Sequence, residues 1–435
     1  MQPDVTALII LGICVVLFLT EWIPLAVTGC LGCLLMVLFG VSSFEEAFSG
    51  FSSDIVLLMA SALVVGIAML KTGAAQVIGR MVIRWSHGNE RVFLTVSCMV
   101  AGLLSMFLAN TAILAMFFPI VESVCVVSPN MRRRNLVLPL ACSVMFGGAC
   151  TLVGCTPQLT ANGLMRSMVG EEMVMWTLTG PGLCLFALFL VFAVTVGYWQ
   201  GKKAWNSRPE ETLAIDEEHT HAVVHAMYDN RKLVLMFSIL AFMLVFYSLS
   251  ILSTAVTAIC AALACLIFGC CSVKDVVREM HWESVVFLAS CLGLAEALTN
   301  SGAGELLGHG VAWMLGDVRS PLVVFAALTF LALFISQFIT NSTAIIIVLP
   351  IALSLCTQYG FQYMPFCVGI TLAASIACCT PLAAAQITMT QIAGYKFSDY
   401  LKYGWLLSLV EYICILFLCF SHWYNMGPLM RLILP

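Results

Sequence analysis

Charge is what this sequence has least of. Of 435 residues only 19 are Lys or Arg and 23 are Asp or Glu, 10% in all, where soluble domains carry about 25%. With 61% of the chain apolar, that scarcity excludes a soluble globular enzyme, a disordered chain and a nucleic-acid binder, which would need a basic surface. The net charge of −4 is too small to indicate a partner. Met1–Asp4 holds no Lys or Arg, so the first apolar run lacks the basic start of a cleavable signal peptide and reads as a retained span. Neither HExxH nor GxSxG occurs, and an enzyme reading has no nucleophile–base pair to build on. The 20 Cys lie mostly inside apolar runs, as Cys14, Cys98 and Cys265 do, and suit small packing residues. His219, His221 and His225 share a polar stretch and read as solvated rather than as a metal set.

What remains is an all-α polytopic membrane protein. Runs long enough to cross a bilayer, about 20 residues each, fall near 5–20, 22–40, 54–70, 136–165, 178–200, 232–250, 253–271, 283–300, 363–393 and 401–424. That makes about 10 spans. Two further stretches, 92–126 and 320–357, are too long for one span, and each carries a polar kink and then a Pro, Asn110…Pro119 and Asn341…Pro350. Each reads as a re-entrant helical hairpin, tolerated at depth only where protein or water surrounds it. With the N-terminus outside, 16 of the 19 Lys and Arg fall on the inner side and only Arg166, Arg319 and Arg431 on the outer, as the positive-inside rule requires. Ten crossings then leave the C-terminus outside as well. A bacterial inner membrane is the expected location.

The halves repeat each other. Asp54–Ser61, followed by Lys71–Ala74, matches Glu283–Ser290, followed by Asn300–Ala303, at an offset of 229. Gly40/Gly269 and Val27-Thr28/Val256-Thr257 share it. Ser105–Thr111 pairs with Ser336–Ser342 at 231, and Cys155-Thr156-Pro157 with Cys379-Thr380-Pro381 at 224. A duplication is indicated, with repeats over 1–200 and 232–435 and a cytoplasmic linker at 201–231. Five spans per repeat is an odd number, so the second enters from the opposite face. Inverted five-span repeats, each with a hairpin and a discontinuous helix, are the architecture of secondary transporters.

The breaks carry the chemistry. A helix ending near Leu108 frees carbonyls that suit a cation; one beginning near Thr111 frees N–H groups that suit an anion. Asn110 offers both donor and acceptor, and Ser105 lies one turn before it. At the later break Thr156 fits an N-cap and Pro157 the first helical position. Neither tip holds a basic residue. Glu21, Lys71, Glu122 and Glu296 lie within spans or at their edges, and Glu296, the deepest, is a candidate for proton coupling. Gly73–Arg91 and Gly302–Asp317 read as amphipathic helices beside each hairpin.

At Ala109-Asn110-Thr111 and Thr340-Asn341-Ser342, and at Thr20–Thr28 and Leu292–Leu298, the chain resembles the divalent anion/sodium symporter (DASS) family of the ion transporter superfamily, whose hairpin tips carry Ser-Asn-Thr. The resemblance spans essentially the whole chain. It implies uptake of di- and tricarboxylates or sulfate coupled to Na+, or exchange, by a homodimer whose transport domain moves like an elevator. It further implies a first sodium site at Ser105, Asn110 and backbone near Cys155, and a second at Ser336, Asn341 and backbone near Cys379. Substrate would meet Asn110, Thr111, Thr156, Asn341, Ser342, Thr343 and Thr380. Ala109 lacks the family's first hydroxyl. Where the family has Pro-Pro-Asn after each break, this chain has Pro157-Gln158-Leu159 and Pro381-Leu382-Ala383. The expectation is sodium-coupled C4-dicarboxylate uptake, with no organic cofactor. Sodium-independent exchange, an oxyanion substrate such as sulfate, and an anion channel stand as rivals.

Overall fold

The computed structural model describes residues 3–20, 22–74, 77, 89–127, 131–205, 230–249, 252–280, 282–301, 320–380 and 384–423. Glu21, the three linker His and nearly all of both amphipathic segments lie outside the described residues, as does the side chain of Glu122. All regular structure among the described residues is helical. Among the described residues five helices are long and apolar enough to cross a membrane: Asp54–Lys71, Thr179–Lys203, Asn230–Tyr247, Asn341–Tyr359 and Phe397–Cys419. Shorter apolar helices accompany them, Leu25–Leu38 and Thr254–Ile267 among others. At 1.5 Å per residue these two are each about 21 Å long.

The duplication written in the sequence is also written in the helix ends. Helix α1 (Pro3–Thr20) and α2 (Leu25–Leu38) are followed by a short α3 (Phe44–Ala47), a 3-10 turn (Ser49–Ser52) and α4 (Asp54–Lys71). Then come α5 (Glu90–Ser105), α6 (Asn110–Val127), α7 (Arg133–Gly148), α8 (Thr156–Val169) and α9 (Thr179–Phe192). A π-helical turn joins α9 to α10 (Tyr198–Trp205), so the helix runs into the stretch read as linker. The second half has α11 (Asn230–Leu249), α12 (Thr254–Ile267), α13 (Val273–Glu279), α14 (Trp282–Asn300), α15 (Pro321–Ser336), α16 (Asn341–Tyr359), α17 (Tyr363–Ser375), α18 (Ala385–Met389) and α19 (Phe397–Trp423).

Both bounds of α2 and α12 differ by 229, as do the starts of α3 and α13 and the ends of α4 and α14. The local causes repeat too. Gly40 (φ 68) and Gly269 (φ 70) take the left-handed conformation that ends α2 and α12. Val41 N–H reaches back to Met36 O (2.9 Å) and Cys270 N–H to Cys265 O (2.8 Å), the Schellman closure that glycine permits. Ser43 with Glu46, and Ser272 with Asp275, then form capping boxes that open α3 and α13. Even the neighbours of those acids correspond: Lys71, ending α4, lies 3.7 Å from Asp275, and Asn300, ending α14, lies 3.5 Å from Glu46.

Packing follows the same exchange. Helix α2 lies along α14 while α4 lies along α12, each helix of one half against its counterpart's partner in the other. The buried interior is continuous, and α7, α16 and α17 are nearly enclosed. Polar anchors fix the ends. Glu90, in the first turn of α5, accepts from Arg132 N–H (3.0 Å), Asn135 Nδ2 (2.9 Å) and the Tyr198 hydroxyl. Trp205 is buried and donates to Asn135 Oδ1 at 2.8 Å.

Hydrogen bonds from Ser43, the backbone N–H first, hold the Glu46 carboxyl below the usual carboxylate range, and the Ser272 hydroxyl and N–H do the same for Asp275. A carboxyl lowered in the folded state contributes stability above its ordinary range, and that contribution is lost as pH falls through the lowered value. Ser43→Ala and Ser272→Ala should therefore each lower the melting temperature at neutral pH. The difference from the parent protein should shrink in acid. A pH series of thermal unfolding checks this; equal losses at every pH would contradict it.

Candidate functional site

The two tips have one design. Helix α5 ends at Ser105 and α6 begins at Asn110; α15 ends at Ser336 and α16 begins at Asn341. Four residues make each turn, and both Ser–Asn pairs bracket the helix ends. In the second tip Thr340 is the N-cap and its hydroxyl accepts from Thr343 N–H at 3.4 Å. The equivalent residue in the first tip is Ala109, whose carbonyl accepts from Ile113 N–H at 3.2 Å but whose side chain can cap nothing.

Each tip rests on the break that follows. In the first half α7 ends at Gly148 and α8 starts at Thr156. In the second α17 ends at Ser375 and α18 starts at Ala385. The residue before each start is extended, Cys155 at φ −141, ψ 154 and Ala384 at φ −151, ψ 145. Thr156 is thus the first helical residue and Cys155 the cap, one place earlier than the capping pattern suggests. The offset between the starts is 229. Hydrogen bonding agrees: the Thr151 hydroxyl donates to Met106 O, the first carbonyl of the first tip, and the Thr380 hydroxyl donates to Gln337 O, the first carbonyl of the second. The structural counterpart of Thr380 is therefore Thr151, and that of Cys155 is Ala384. The Cys-Thr-Pro match at 224 does not give the register of the breaks. Position along the chain is set by which hydroxyl secures the tip, not by the three-residue identity.

Most of the expected site residues meet at one cavity of about 310 Å³. Asn110, Thr111, Cys155 and Thr156 line it from the first half, and Asn341 and Ser342 from the second. Gln386, buried, and Ser284 also line it. Sequence reading missed both; Gln386 becomes visible only at the corrected offset, where it stands opposite Pro157. Thr343 is fully buried behind Thr340, with the two hydroxyl oxygens 2.7 Å apart. Thr380, buried and turned to Gln337, does not line the cavity, nor does Cys379, whose N–H donates to Gln337 Oε1 at 2.8 Å. Glu296 lies elsewhere, accepting from the Ser49 hydroxyl. No lining residue among those described carries a charge.

The cation-competent oxygens differ between halves. Ser105, fully buried, places its hydroxyl between Asn110 Oδ1 and Val144 O (2.7 Å to the latter). Asn110 Nδ2 lies 2.9 Å from Cys155 Sγ. Gly148 makes room: a Cβ there would stand 2.5 Å from Cys155 Sγ and 2.7 Å from Asn110 Oδ1. In the second half Ser336 donates to Leu333 O (3.0 Å), and Asn341 Nδ2 to Ser375 O (3.2 Å). Asn341 Oδ1 is buried and has no hydrogen-bond partner among the described residues.

Four helix starts thus meet at the cavity: α6, α8 and α16, and the short α18. Each brings N–H groups that no turn of its own helix can satisfy.

Comparison with known proteins places this geometry. The model of a family described as citrate transporter (CitMHS) matches residues 15–342. An uncharacterized transporter of Haemophilus influenzae is 23% identical over 429 residues, covering 96% of this chain and 92% of its own. A protein of Staphylococcus saprophyticus named sodium-dependent dicarboxylate transporter SdcS is 22% identical over 396 residues, covering 84% of this chain and 75% of its own. The crystal structure of the Alcanivorax borkumensis YdaH transporter covers 98% of this chain and 100% of its own with a TM-score of 0.66 at 14% identity, a likeness of fold.

The missing cap yields a test. Ala109→Ser should supply the hydroxyl that Thr340 supplies in the other tip and stabilise the protein, and Thr340→Ala should cost about 1 kcal/mol. Thermal unfolding of both variants measures the pair. Destabilisation by Ala109→Ser would mean that the first tip has no free N–H for a cap.

Proposed function

The chain belongs to the citrate transporter family and is an integral-membrane secondary transporter, and from that premise we propose that it takes up a C4-dicarboxylate together with sodium. The observation that carries this reading is the convergence of four helix N-termini, two from each half, on one uncharged cavity. A dianion there is held by N–H groups, amides and hydroxyls, with Asn110, Thr111, Thr156, Asn341 and Ser342 in reach of it; Thr343 and Thr380 act from behind, by holding the second tip in shape.

Magnitude argues for the co-ion. A helix N-terminus stabilises an anion by about 2 kcal/mol at best, so the three longer helices give about 6, and the five-residue α18 adds little. Removing two carboxylates from water costs several kcal/mol each, and the two sums nearly cancel. Cations bound beside the anion tip that balance. At the first tip the Ser105 hydroxyl has a second acceptor in Val144 O. When it turns there, Ser105 Oγ and Asn110 Oδ1 both present lone pairs, which together with backbone near Cys155 suit a sodium ion. At the second tip Asn341 Oδ1, unpartnered among the described residues, takes the same role with Ser336 and backbone near Cys379. Sodium orders the tips first; the anion then closes the gap between them. The Staphylococcus relative's name, sodium-dependent dicarboxylate transporter, supports both ions.

In this reading 1–200 and 232–435 are five-span repeats of opposite orientation. The hairpins at 92–126 and 320–357 enter from opposite faces, 201–231 is a cytoplasmic linker, and both termini lie outside. The recurrence of helix bounds at 229 and the one-sided distribution of Lys and Arg support it. A homodimer with an elevator-like transport domain follows from the resemblance.

Asn110→Ala and Asn341→Ala should each reduce sodium-driven succinate uptake into proteoliposomes more than tenfold, with the melting temperature within a few degrees of the parent. Normal uptake by both variants would remove these tips from the transport site. Uptake that needs internal anion and no sodium gradient would identify an exchanger instead.

A further inference from the structure

The cavity is duplicated in its tips but not in its walls. Asn110 and Asn341 hold equal places at the starts of α6 and α16, and Thr111 and Ser342 follow them. Two like groups on a ligand can therefore meet two like sets of donors. Elsewhere the offset of 229 pairs unlike residues. Gln386, second in α18, corresponds to Pro157, second in α8, and both line the cavity. Proline shows that space only carbon. Ser284 lines the cavity from α14, whereas Ile55, its counterpart in α4, does not. In the opposite sense, Thr156 lines it where the second half has Ala385. The Thr340 hydroxyl is committed to Thr343. Beyond the tips, then, the second half brings a carboxamide and a hydroxyl against one hydroxyl from the first.

The three carboxamides at the cavity differ in what they are free to do. Asn110 is engaged at both ends, its Oδ1 with the Ser105 hydroxyl and its Nδ2 with Cys155 Sγ at 2.9 Å. Asn341 Nδ2 donates to Ser375 O at 3.2 Å, and its Oδ1 is buried. Gln386 makes no hydrogen bond among the described residues, yet only 7% of it is exposed. The space left to its amide is the cavity it lines. The Ser284 hydroxyl is also without a partner among the described residues.

A free carboxamide brings an acceptor as well as donors, whereas a carboxylate only accepts. An unsubstituted dianion can meet Gln386 Nε2, but it leaves Gln386 Oε1 with no donor once the site closes. An enclosed acceptor left in that state costs more than one hydrogen bond returns. The group that completes the set both donates and accepts at a single atom. On a small dicarboxylate that group is a hydroxyl.

We propose that Gln386 is a specificity-determining residue that selects a 2-hydroxy C4-dicarboxylate, such as malate, over unsubstituted succinate. The substrate hydroxyl donates to Gln386 Oε1, and Ser284 offers a donor to the hydroxyl oxygen. The two carboxylates lie at the paired tips. Three unlike points of contact also distinguish enantiomers, because only one hand of malate places its hydroxyl toward the second half while both carboxylates stay seated. This selection rests on the dicarboxylate reading above and adds which member of that class the walls favour.

Thermal stabilisation of the purified protein in sodium chloride, titrated with succinate, L-malate and D-malate, tests it. One malate enantiomer should reach its half-maximal effect at a concentration about tenfold lower than succinate, the worth of one neutral hydrogen bond. The other enantiomer should do no better than succinate. Competition against labelled malate uptake in proteoliposomes should give the same order. Gln386→Met, which keeps the bulk of the side chain and removes both polar atoms, should bring all three anions within about twofold of one another. Ser284→Ala should narrow the gap partway. If Gln386→Met does not fold, Gln386→Asn, which draws the same amide back by one methylene, should show the same loss of ratio. A parent protein that binds the three equally, or succinate best, overturns the selection. So does a Gln386→Met variant that weakens all three alike and keeps their ratios, since the amide then serves a carboxylate. Stabilisation by none of the three would overturn the dicarboxylate reading itself, and the selection with it.

Discussion

A helix that stops inside an apolar interior leaves backbone groups that no water will satisfy, and among the described residues this chain stops helices there four times, after α5, α7, α15 and α17. At each stop the sequence must supply the missing partners or a ligand must. Thr151 and Thr380 satisfy the carbonyl at the start of each tip from the neighbouring break. Gln337 satisfies an N–H of the second break. What these bonds do not satisfy faces the cavity. Site and scaffold are thus the same set of bonds, divided by which side of the turn they serve, and a polar centre needs no charged residue to exist.

The sequence shows the part of this that periodicity and identity can carry. The ends of α5, α6, α15 and α16 fall at Ser105, Asn110, Ser336 and Asn341 because a short polar motif in a long apolar run has one way to be read. Gly40 and Gly269 are legible for a similar reason: only a left-handed turn explains a lone Gly ahead of a Ser-x-x-acid box. The breaks after α7 and α17 are less legible. Cys-Thr-Pro occurs in both, yet the chain aligns Thr380 with Thr151. The path of an irregular segment is decided by which hydroxyl reaches a carbonyl on another helix, and that contact is 43 or 45 residues away in sequence. Gln386 stayed hidden behind that shift.

The halves match in backbone and differ in how fully their polar atoms are satisfied. In the first, Ser105, Asn110 and Cys155 form a closed set, with Gly148 leaving just enough space for it. In the second, Ser336 bonds within its own helix and Asn341 keeps an oxygen unpartnered among the described residues. A buried, unpartnered carbonyl oxygen costs about 1–3 kcal/mol, so the second tip is the half with free energy to gain from a ligand. In the proposed sodium-coupled reading the first instead exchanges one hydrogen bond for another when a cation arrives. Such a difference orders events. In the proposed cycle sodium therefore has less to order at the first tip than at the second. It is also the second tip whose break leans on α19 at Gly404 and Ser408. Duplication accounts for the shape of the site, and the departures from it leave one half to hold the architecture and the other to respond to what binds.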